Sequence, residues 1–340
     1  MQSFQAQSHL PWRERQWTVG SAAGVRAGTR AAGVITHGTT ADGTVLQNAL
    51  HLLVGSEEGP VLYVQAAVHG DEVNNVEALR QVLGSLDPRQ MRGVLIAIPV
   101  INGPAFLARR RQNPIDREDM NRVWPGKRDG STSSQMAYNL YQQAIQYANY
   151  VIDLHTASSN YLLHVVYGAG DDASRELAKV FGLEILLEEE VDQKLKEARF
   201  QGKLRNVLNA RGIPAITPEL GGTNRIEPAN VALGARGITN VMKHLGMLEG
   251  QIVLPEHRQI TLHGSHLDHV MATKGGFWIP QIAVGNQIHK GDVLGHIYSL
   301  LTFDVAEIIL APYNGYVLGM PDSPVINFGD DVVTLSQNEG

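Results

Sequence analysis

The chain has 340 residues, of which 43% are hydrophobic and 18% charged, so it is a folded protein with room for two domains. A net charge of −6 argues against nucleic acid as a partner, and the absence of cysteine excludes disulfides, thiolate metal sites and a cysteine nucleophile. Residues 1–7 lack the features of a signal peptide, and no apolar stretch has the length of a membrane span. We therefore expect a cytoplasmic protein without a membrane partner.

Strands and helices alternate through the first 250 residues. The Gly- and Thr-rich start predicts short strands and turns, and the alternation over residues 44–54 suggests an edge strand. The apolar run 61–68 predicts a buried strand. The later elements are a helix over 73–83, a strand over 93–100, a helix over 135–148, strands over 150–154 and 162–166, helices over 173–181 and 203–211, a strand over 213–217 and a helix over 230–245. This alternation predicts an α/β sheet with helices on both faces.

The pattern changes near Gln251, where helical periodicity gives way to short strands punctuated by glycine. Residues 275–280 and 284–295 are examples of these strands. We therefore predict two domains, an α/β domain over residues 1–250 and a β-rich domain over residues 251–340.

Residues 69–72, His-Gly-Asp-Glu, directly follow the buried strand predicted over 61–68. A His followed three residues later by a Glu can place an imidazole and a carboxylate on one metal ion, at the edge where open α/β sheets carry their chemistry. A second strand delivers His155 into the polar turn Thr156 to Ser159. Two His and one Glu are the ligand set of a catalytic zinc site with a fourth position open for water. His69, Glu72 and His155 are therefore candidate ligands of one Zn²⁺ ion.

The spacing of His69 and Glu72 alone is weak evidence, because such pairs occur often by chance. Their position after an apolar strand, matched by His155 after another, favours a metal site. Glu219 ends a third strand and precedes a double glycine, which puts its carboxylate at the same sheet edge. Its predicted role is general base on metal-activated water, against the alternative of a solvated strand-end side chain.

The Arg-rich segment 109–126 is bounded by Pro and Gly and is predicted to be a loop. Within it, Asn121 and Arg122 can grip a carboxylate, the Arg through its bidentate fork. Asp116 and Asp119 are expected to lock the Arg side chains in place.

Two other patterns are given structural interpretations. His263, His266 and His269 recur at intervals of three, but they lie in the β-rich tail, where surface or core histidines are favoured over ligands. The acidic run 188–190 is interpreted as a solvated face.

Four motifs together resemble the succinylglutamate desuccinylase/aspartoacylase family, relatives of the zinc carboxypeptidases. They are HGDE at 69–72, RQNPIDREDMNRVWPG at 111–126, DLH at 153–155 and PELGG at 218–222. The resemblance covers roughly residues 55–250 and is strongest to bacterial predicted deacylases. It implies a zinc carboxypeptidase-like mixed sheet flanked by helices, followed by a smaller β domain.

Carried over residue by residue, the resemblance implies one Zn²⁺ per chain on the three candidate ligands, with Glu219 as general base and acid. Arg111 is then expected to polarise the scissile carbonyl and stabilise the oxyanion. Asn121 and Arg122 match the substrate-carboxylate element, here Asp-Met-Asn-Arg where the family has Asp-Leu-Asn-Arg. Arg205 resembles a further substrate-binding arginine upstream of the catalytic Glu.

The C-terminal residues resemble a biotinyl/lipoyl-like barrel-sandwich fold, through 284–295 and 311–317. A carrier domain needs a modified Lys in the hairpin between these segments, and residues 299–305 contain none. The tail is therefore expected to be structural or to shape the pocket entrance.

The sequence thus predicts a zinc-dependent amidohydrolase that cleaves a small N-acyl amino acid substrate, with homo-oligomerisation possible. Three alternatives stay open: a metallocarboxypeptidase or esterase using the same site, a non-catalytic binding protein that kept the fold, and a carrier or interaction protein built around the tail.

Overall fold

The structure is a computed structural model that describes residues 10–157, 160–197, 199–264 and 267–337. Its helices are α1 (Asn74–Ser85), α2 (Gly103–Ala108), α3 (Thr132–Gln143), α4 (Asp172–Phe181), α5 (Leu204–Ala210) and α6 (Pro228–His244). Its strands are β1 (Gln16–Val19), β2 (Ala22–Arg26), β3 (Thr29–Thr39), β4 (Val45–Val54), β5 (Glu57–Gln65), β6 (Arg92–Ile98), β7 (Tyr150–Asp153), β8 (His164–Gly168), β9 (Ile185–Glu189), β10 (Ala215–Glu219), β11 (Ile260–His263), β12 (Leu267–Met271), β13 (Gly276–Pro280), β14 (Gln287–Ile288), β15 (Val293–Tyr298), β16 (Val305–Leu310), β17 (Gly315–Gly319), β18 (Val325–Ile326) and β19 (Asp331–Gln337).

Nine strands form one large mixed sheet in the order β11-β9-β8-β10-β7-β5-β6-β4-β3. The central strands β6, β5, β7 and β10 run parallel, whereas β8 is antiparallel to β10. One apolar core lies under α3 and α5, and a second lies on the other face under α1, α4 and α6. The predicted mixed α/β sheet flanked by helices is confirmed.

Local caps set the ends of the helices more sharply than periodicity could. Helix α3 begins at Thr132, ahead of the predicted 135, because the Ser131 hydroxyl accepts a hydrogen bond from Ser134 N at 3.2 Å. It ends at Gln143, and a short 3₁₀ turn replaces the last predicted turn. Helix α6 begins with a proline at its first position, where a missing N–H costs nothing.

The prediction of an edge strand over residues 44–54 is wrong. Strand β4 pairs on both sides, with β3 and with β6, and the edge belongs to β3. The Gly-, Ala- and Thr-rich sequence of β3 has too little apolar alternation to show as a strand.

The C-terminal residues form two four-stranded sheets, β12-β19-β17-β14 and β16-β15-β13-β18, which enclose a separate apolar core. Strand β11, although it lies beyond residue 250, pairs with β9 as the edge of the large sheet. The tail also touches the large sheet near β8, where Leu162 N donates to Leu318 O at 2.9 Å. A Cβ on Gly319 would lie 2.0 Å from the Tyr161 ring, so this junction requires glycine.

None of the helices that the structure describes is both long and apolar enough to cross a lipid bilayer.

Candidate active site

The loop after β5 carries two of the predicted ligands and is fixed by close packing. Ala67 adopts a left-handed conformation with φ of 50°, an uncommon one for a residue with a side chain. Gly70 lies against helix α2, where a Cβ would come within 1.9 Å of the Ala105 carbonyl carbon. Its N–H donates to Arg110 O at 2.9 Å. Only glycine fits at the second position of this motif, and the packing holds His69 and Glu72 in place.

His69, Glu72 and His155 meet in the interior, each at most 2% exposed. Glu72 Oε1 lies 2.6 Å from His69 Nδ1, and Glu72 Oε2 lies 3.1 Å from His155 Nδ1. One potential ligand atom from each residue falls within 4.8 Å of the others, and the described residues contain no other such group of three or more His, Cys, Asp or Glu. The structure thus brings together the three predicted ligands.

A carboxylate supports each imidazole from behind. His69 Nε2 lies 3.0 Å from Asp119 Oδ1, and His155 Nε2 lies 3.2 Å from Asp153 Oδ2. Such outer carboxylates orient metal-binding imidazoles and raise their basicity. The Nδ1 atom of each ring faces Glu72, where it can serve as the ligand atom.

The Asp153 carboxylate is itself held inside the sheet. Gln65 Nε2 donates to its Oδ1 at 2.7 Å, and the Tyr63 hydroxyl donates to Gln65 Oε1 at 3.0 Å. All three side chains are buried. A chain of hydrogen bonds along β5 and β7 therefore fixes the Asp153 carboxylate, whose Oδ2 lies beside His155 Nε2.

The cluster favours a positive charge at its centre. Burial lowers the pKa of His155, but Glu72 and Asp153 outweigh it and raise that pKa well above its ordinary value. For His69 too, burial is outweighed by Glu72 and Asp119, and the pKa rises. Glu72 Oε2 is shielded from solvent and accepts no hydrogen bond. Two imidazole nitrogens and a carboxylate suit a divalent transition metal, and zinc in particular, so the residues fit the implied ion.

Glu219 is held beside His155 by backbone pairing. His155 N donates to Pro218 O at 2.9 Å and Leu220 N donates to His155 O at 2.8 Å, which extends the pairing of β7 with β10 to the sheet edge. Glu219 Oε2 is shielded and has no hydrogen-bond partner. Burial raises the pKa of Glu219 to about 7, against the opposing charge of His155. A carboxyl with such a pKa can exchange protons near neutral pH.

The arginines of the loop stand at the pocket rim. Arg111 Nη2 donates to Asp119 Oδ2 at 3.0 Å, and Arg122 Nη1 lies 3.7 Å from the same oxygen. Both side chains are about half exposed. The expectation that Asp119 restrains the arginines is confirmed. For Asp116 it is wrong, because Asp116 accepts hydrogen bonds from Ser133 at the start of α3.

Asn121 is buried between the cluster and helix α5. Its Oδ1 accepts a hydrogen bond from Leu204 N at 3.1 Å, and its Nδ2 lies 3.3 Å from His155 Nε2. The amide therefore connects His155 to the start of α5 while it also lines the pocket.

The interpretation of residues 188–190 as a solvated face is wrong for the first two. Glu188 Oε2 lies 2.8 Å from His263 Nδ1, and Glu189 faces the pocket. Consecutive side chains of a strand point to opposite faces of its sheet, so Glu188 and Glu189 of β9 lie on opposite faces.

Of the three histidines in the tail, His269 pairs with Asp331 at 2.5 Å. His266 lies outside the described residues, as do residues 158–159 of the predicted polar turn.

Glu189 forms ion pairs with Lys203 and Arg205. Lys203 Nζ lies 2.8 Å from Glu189 Oε1, and Arg205 Nη2 contacts Glu189 Oε2. Burial lowers the pKa of Arg205 to about 10, which keeps its guanidinium charged at neutral pH. We call Glu189, Lys203 and Arg205 the far end of the pocket, and His69, Glu72, His155 and Glu219 its metal end.

One cavity of about 290 Å³ joins the two ends. All eight predicted site residues line it: His69, Glu72, Arg111, Asn121, Arg122, His155, Arg205 and Glu219. Sequence reasoning missed Glu189, Lys203, His164 and Thr217, which also line it. A larger apolar groove of about 690 Å³ between the large sheet and the tail contains none of the eight.

The catalytic-domain profile of the succinylglutamate desuccinylase/aspartoacylase family matches residues 58–245, more than half of the chain. The N-alpha-acetyl-L-2,4-diaminobutyric acid deacetylase of Halomonas elongata is 28% identical over 291 residues, which cover 82% of this chain and 83% of that protein.

Solved structures agree over nearly the whole length. The succinylglutamate desuccinylase/aspartoacylase of Rhodobacter sphaeroides is 25% identical with a TM-score of 0.79, over 91% of this chain and 96% of that one. The product-bound ectoine utilization protein EutE (DoeB) of Ruegeria pomeroyi, 24% identical, shares the fold with a TM-score of 0.81, over 91% and 95% of the two chains. The predicted family and enzyme class are confirmed: the chain belongs to the succinylglutamate desuccinylase/aspartoacylase family of deacylases.

Proposed function

We propose that the chain is a zinc-dependent deacylase that hydrolyses the amide bond of an N-acyl amino acid. The observation that carries the proposal is the position of Glu219, whose unpartnered carboxylate oxygen stands beside the His69–Glu72–His155 cluster in a pocket with guanidinium groups at its rim. The Halomonas relative, named as a deacetylase of an N-acetylated amino acid, supports the same reaction.

His69, Glu72 and His155 would hold one Zn²⁺ per chain, with Asp119 and Asp153 orienting the two imidazoles. When bound, zinc would supply a Lewis acid that acidifies water and polarises the scissile carbonyl.

Glu219 is the proton carrier in this proposal. Its carboxylate accepts a proton from the attacking water and then donates it to the leaving nitrogen. The pKa of about 7 suits both roles, and the bound cation would lower that pKa further toward the base form. Backbone pairing with His155 fixes the main chain of Glu219 beside the cluster.

The arginines bind the two ends of the amide substrate. Arg111 uses one nitrogen on Asp119 and keeps its other donors for the carbonyl oxygen, where negative charge develops. Arg122, with Asn121 behind it, holds the carboxylate of the amino acid through a charge-assisted pair. The products are a carboxylic acid and an amino acid, and a cavity of about 290 Å³ restricts both to small molecules.

Four further expectations belong to this proposal. The two small sheets, which share one core, support the barrel-sandwich resemblance of the tail. The cytoplasmic location and the division at residue 250 are likewise proposed from the sequence, as is assembly into a homo-oligomer.

The test is hydrolysis of N-acyl amino acids by purified protein, with metal content measured in parallel. We expect zinc-dependent amide cleavage that Glu219→Gln abolishes without removing the metal and that the charge-matched control Glu190→Gln leaves intact, because Glu190 is an exposed neighbour of the far end. Dipeptides and esters in the same assay separate the carboxypeptidase and esterase alternatives. Bound zinc without cleavage of any of these compounds would overturn the proposal.

A further inference from the structure

The charges at the far end are already paired within the protein. Glu189 contacts Lys203 Nζ through one carboxylate oxygen and Arg205 Nη2 through the other. Arg205 is 2% exposed, whereas Glu189 and Lys203 are 30% and 40% exposed. The two cations of the far end are therefore engaged by a carboxylate of the chain itself.

One terminal nitrogen of Arg205 is left without a partner. Its Nη2 is taken by Glu189, while its Nη1 is shielded from solvent and has no hydrogen-bond partner. A guanidinium binds a carboxylate best through two parallel N–H groups, and here one of the two nitrogens of that fork is occupied. The free Nη1 can donate to a single oxygen, such as that of a carbonyl or hydroxyl group.

We propose that Glu189 excludes a second carboxylate from the substrate, so that this deacylase acts on N-acyl amino acids that carry one carboxylate only. The inference rests on the proposed function and assigns its substrate class. Glu189 and Arg205 are then specificity-determining residues. Glu189 occupies the position at which the second carboxylate of a dicarboxylic substrate would pair with Arg205 and Lys203.

The physical basis is repulsion of like charges in a partly enclosed pocket. A second carboxylate at the far end would displace Glu189 from its two cations or lie against it, and like-charge contacts in a binding site weaken binding. Such a built-in repulsive element discriminates between substrates without any loss of binding to the preferred one. Neutral and cationic groups meet no such penalty, because the carboxylate remains available to accept hydrogen bonds.

Two matched substrate pairs test the proposal on zinc-supplied wild-type protein. N-acetylglutamine against N-acetylglutamate varies the charge on the amino-acid side chain, and N-butyrylalanine against N-succinylalanine varies it on the acyl group. In the pair whose variable group reaches Glu189, we expect kcat/KM to be at least about 10-fold higher for the neutral member, a difference of about 1.4 kcal/mol.

The variant Glu189→Gln keeps the shape and a hydrogen-bonding amide but removes the charge. It should lower that preference by about 10-fold, chiefly by improving the KM of the dicarboxylate, and Glu190→Gln should leave the preference unchanged. A wild type that cleaves both members of each pair equally, or a preference that survives Glu189→Gln, would overturn the inference.

The design separates the inference from the proposed function. Cleavage of N-acyl amino acids with no charge preference contradicts the inference alone, whereas a lack of cleavage of all four compounds contradicts the proposed function. In that second case, calorimetric binding of glutamine against glutamate still decides on Glu189, because the amine products contain the same variable side chain. The wild-type comparison needs no variant, so it stands even if Glu189→Gln fails to fold.

Discussion

The metal end and the far end of the pocket are held in different ways. At the metal end, each imidazole is at most 2% exposed and has a carboxylate behind it, which is restrained in turn by Gln65 or Arg111. At the far end, Glu189 and Lys203 are about one-third exposed, and Glu189 pairs with Lys203 and with Arg205. The side chains of the metal end are thus held in one geometry, as a proton transfer and a metal require. The charged side chains of the far end are exposed to the substrate that enters the pocket.

This difference means that substitutions at the two ends should change different quantities. Changes at the metal end should alter metal affinity or kcat, and changes at the far end should alter the choice of substrate.

The largest effect is expected from Glu219→Gln. The amide cannot accept a proton from water, so kcat should fall by about 10²–10⁴-fold, the usual contribution of general acid–base catalysis. The variant should still bind one zinc per chain, which metal analysis can check. Unchanged turnover would remove Glu219 from the mechanism.

Asp153→Asn should have a smaller effect, because Asp153 contacts the proposed ligand His155 and not the substrate. It removes the carboxylate charge that lies 3.2 Å from His155 Nε2, and loss of such an outer partner costs about 10–100-fold in metal affinity or activity. Zinc affinity measured by competition with a chelator provides the readout. Asp172→Asn, at an exposed position of α4, is the matched control and should leave the affinity unchanged. Equal affinities for wild type and Asp153→Asn would show that the ring needs no such support.

Tyr63→Phe should have a smaller effect. It removes the hydroxyl that donates to Gln65 Oε1 and should lower the free energy of unfolding by about 1 kcal/mol, the typical net value of a buried hydrogen bond. Denaturant titration measures the change. We expect the effect on zinc affinity to be smaller the further a residue lies from His155 along the Tyr63–Gln65–Asp153 hydrogen bonds. A zinc affinity that falls as far as in Asp153→Asn would contradict this expectation.

Lys203→Met is expected to have the smallest effect on the fold. Because Lys203 is 40% exposed, its ion pair with Glu189 should contribute less than about 1 kcal/mol, with no change in zinc affinity. Thermal unfolding and chelator competition would show this. A loss of bound zinc in this variant would contradict the assignment of Lys203 to substrate choice rather than to metal binding.

Three residues of the metal end could be predicted from the sequence because they follow apolar strands. His69, His155 and Glu219 each follow a buried run, and strand ends are where a parallel sheet exposes polar side chains. Gln65 and Asp153 lie at the ends of β5 and β7 as well, but their role depends on the parallel pairing of these two strands, which no local pattern reports.

Glu189 and Lys203 of the far end could not be predicted from the sequence, for a different reason. Glu189 belongs to a run of three acidic residues, and its partner Arg205 comes from a helix across the pocket. Their meeting depends on the antiparallel insertion of β8 between β9 and β10, and the sequence shows strands there but not their direction. The misassigned edge strand β4 has the same cause, because strand order is set by long-range pairing.

The most direct test of the account is the rate of hydrolysis of a neutral N-acetyl amino acid before chelation, after removal of metal, and after zinc is restored. The account predicts that activity disappears with the metal and returns when one zinc per chain is bound again, with His155→Ala unable to recover it. Full activity in the metal-free protein would contradict the assignment of His69, Glu72 and His155 as the centre of the site.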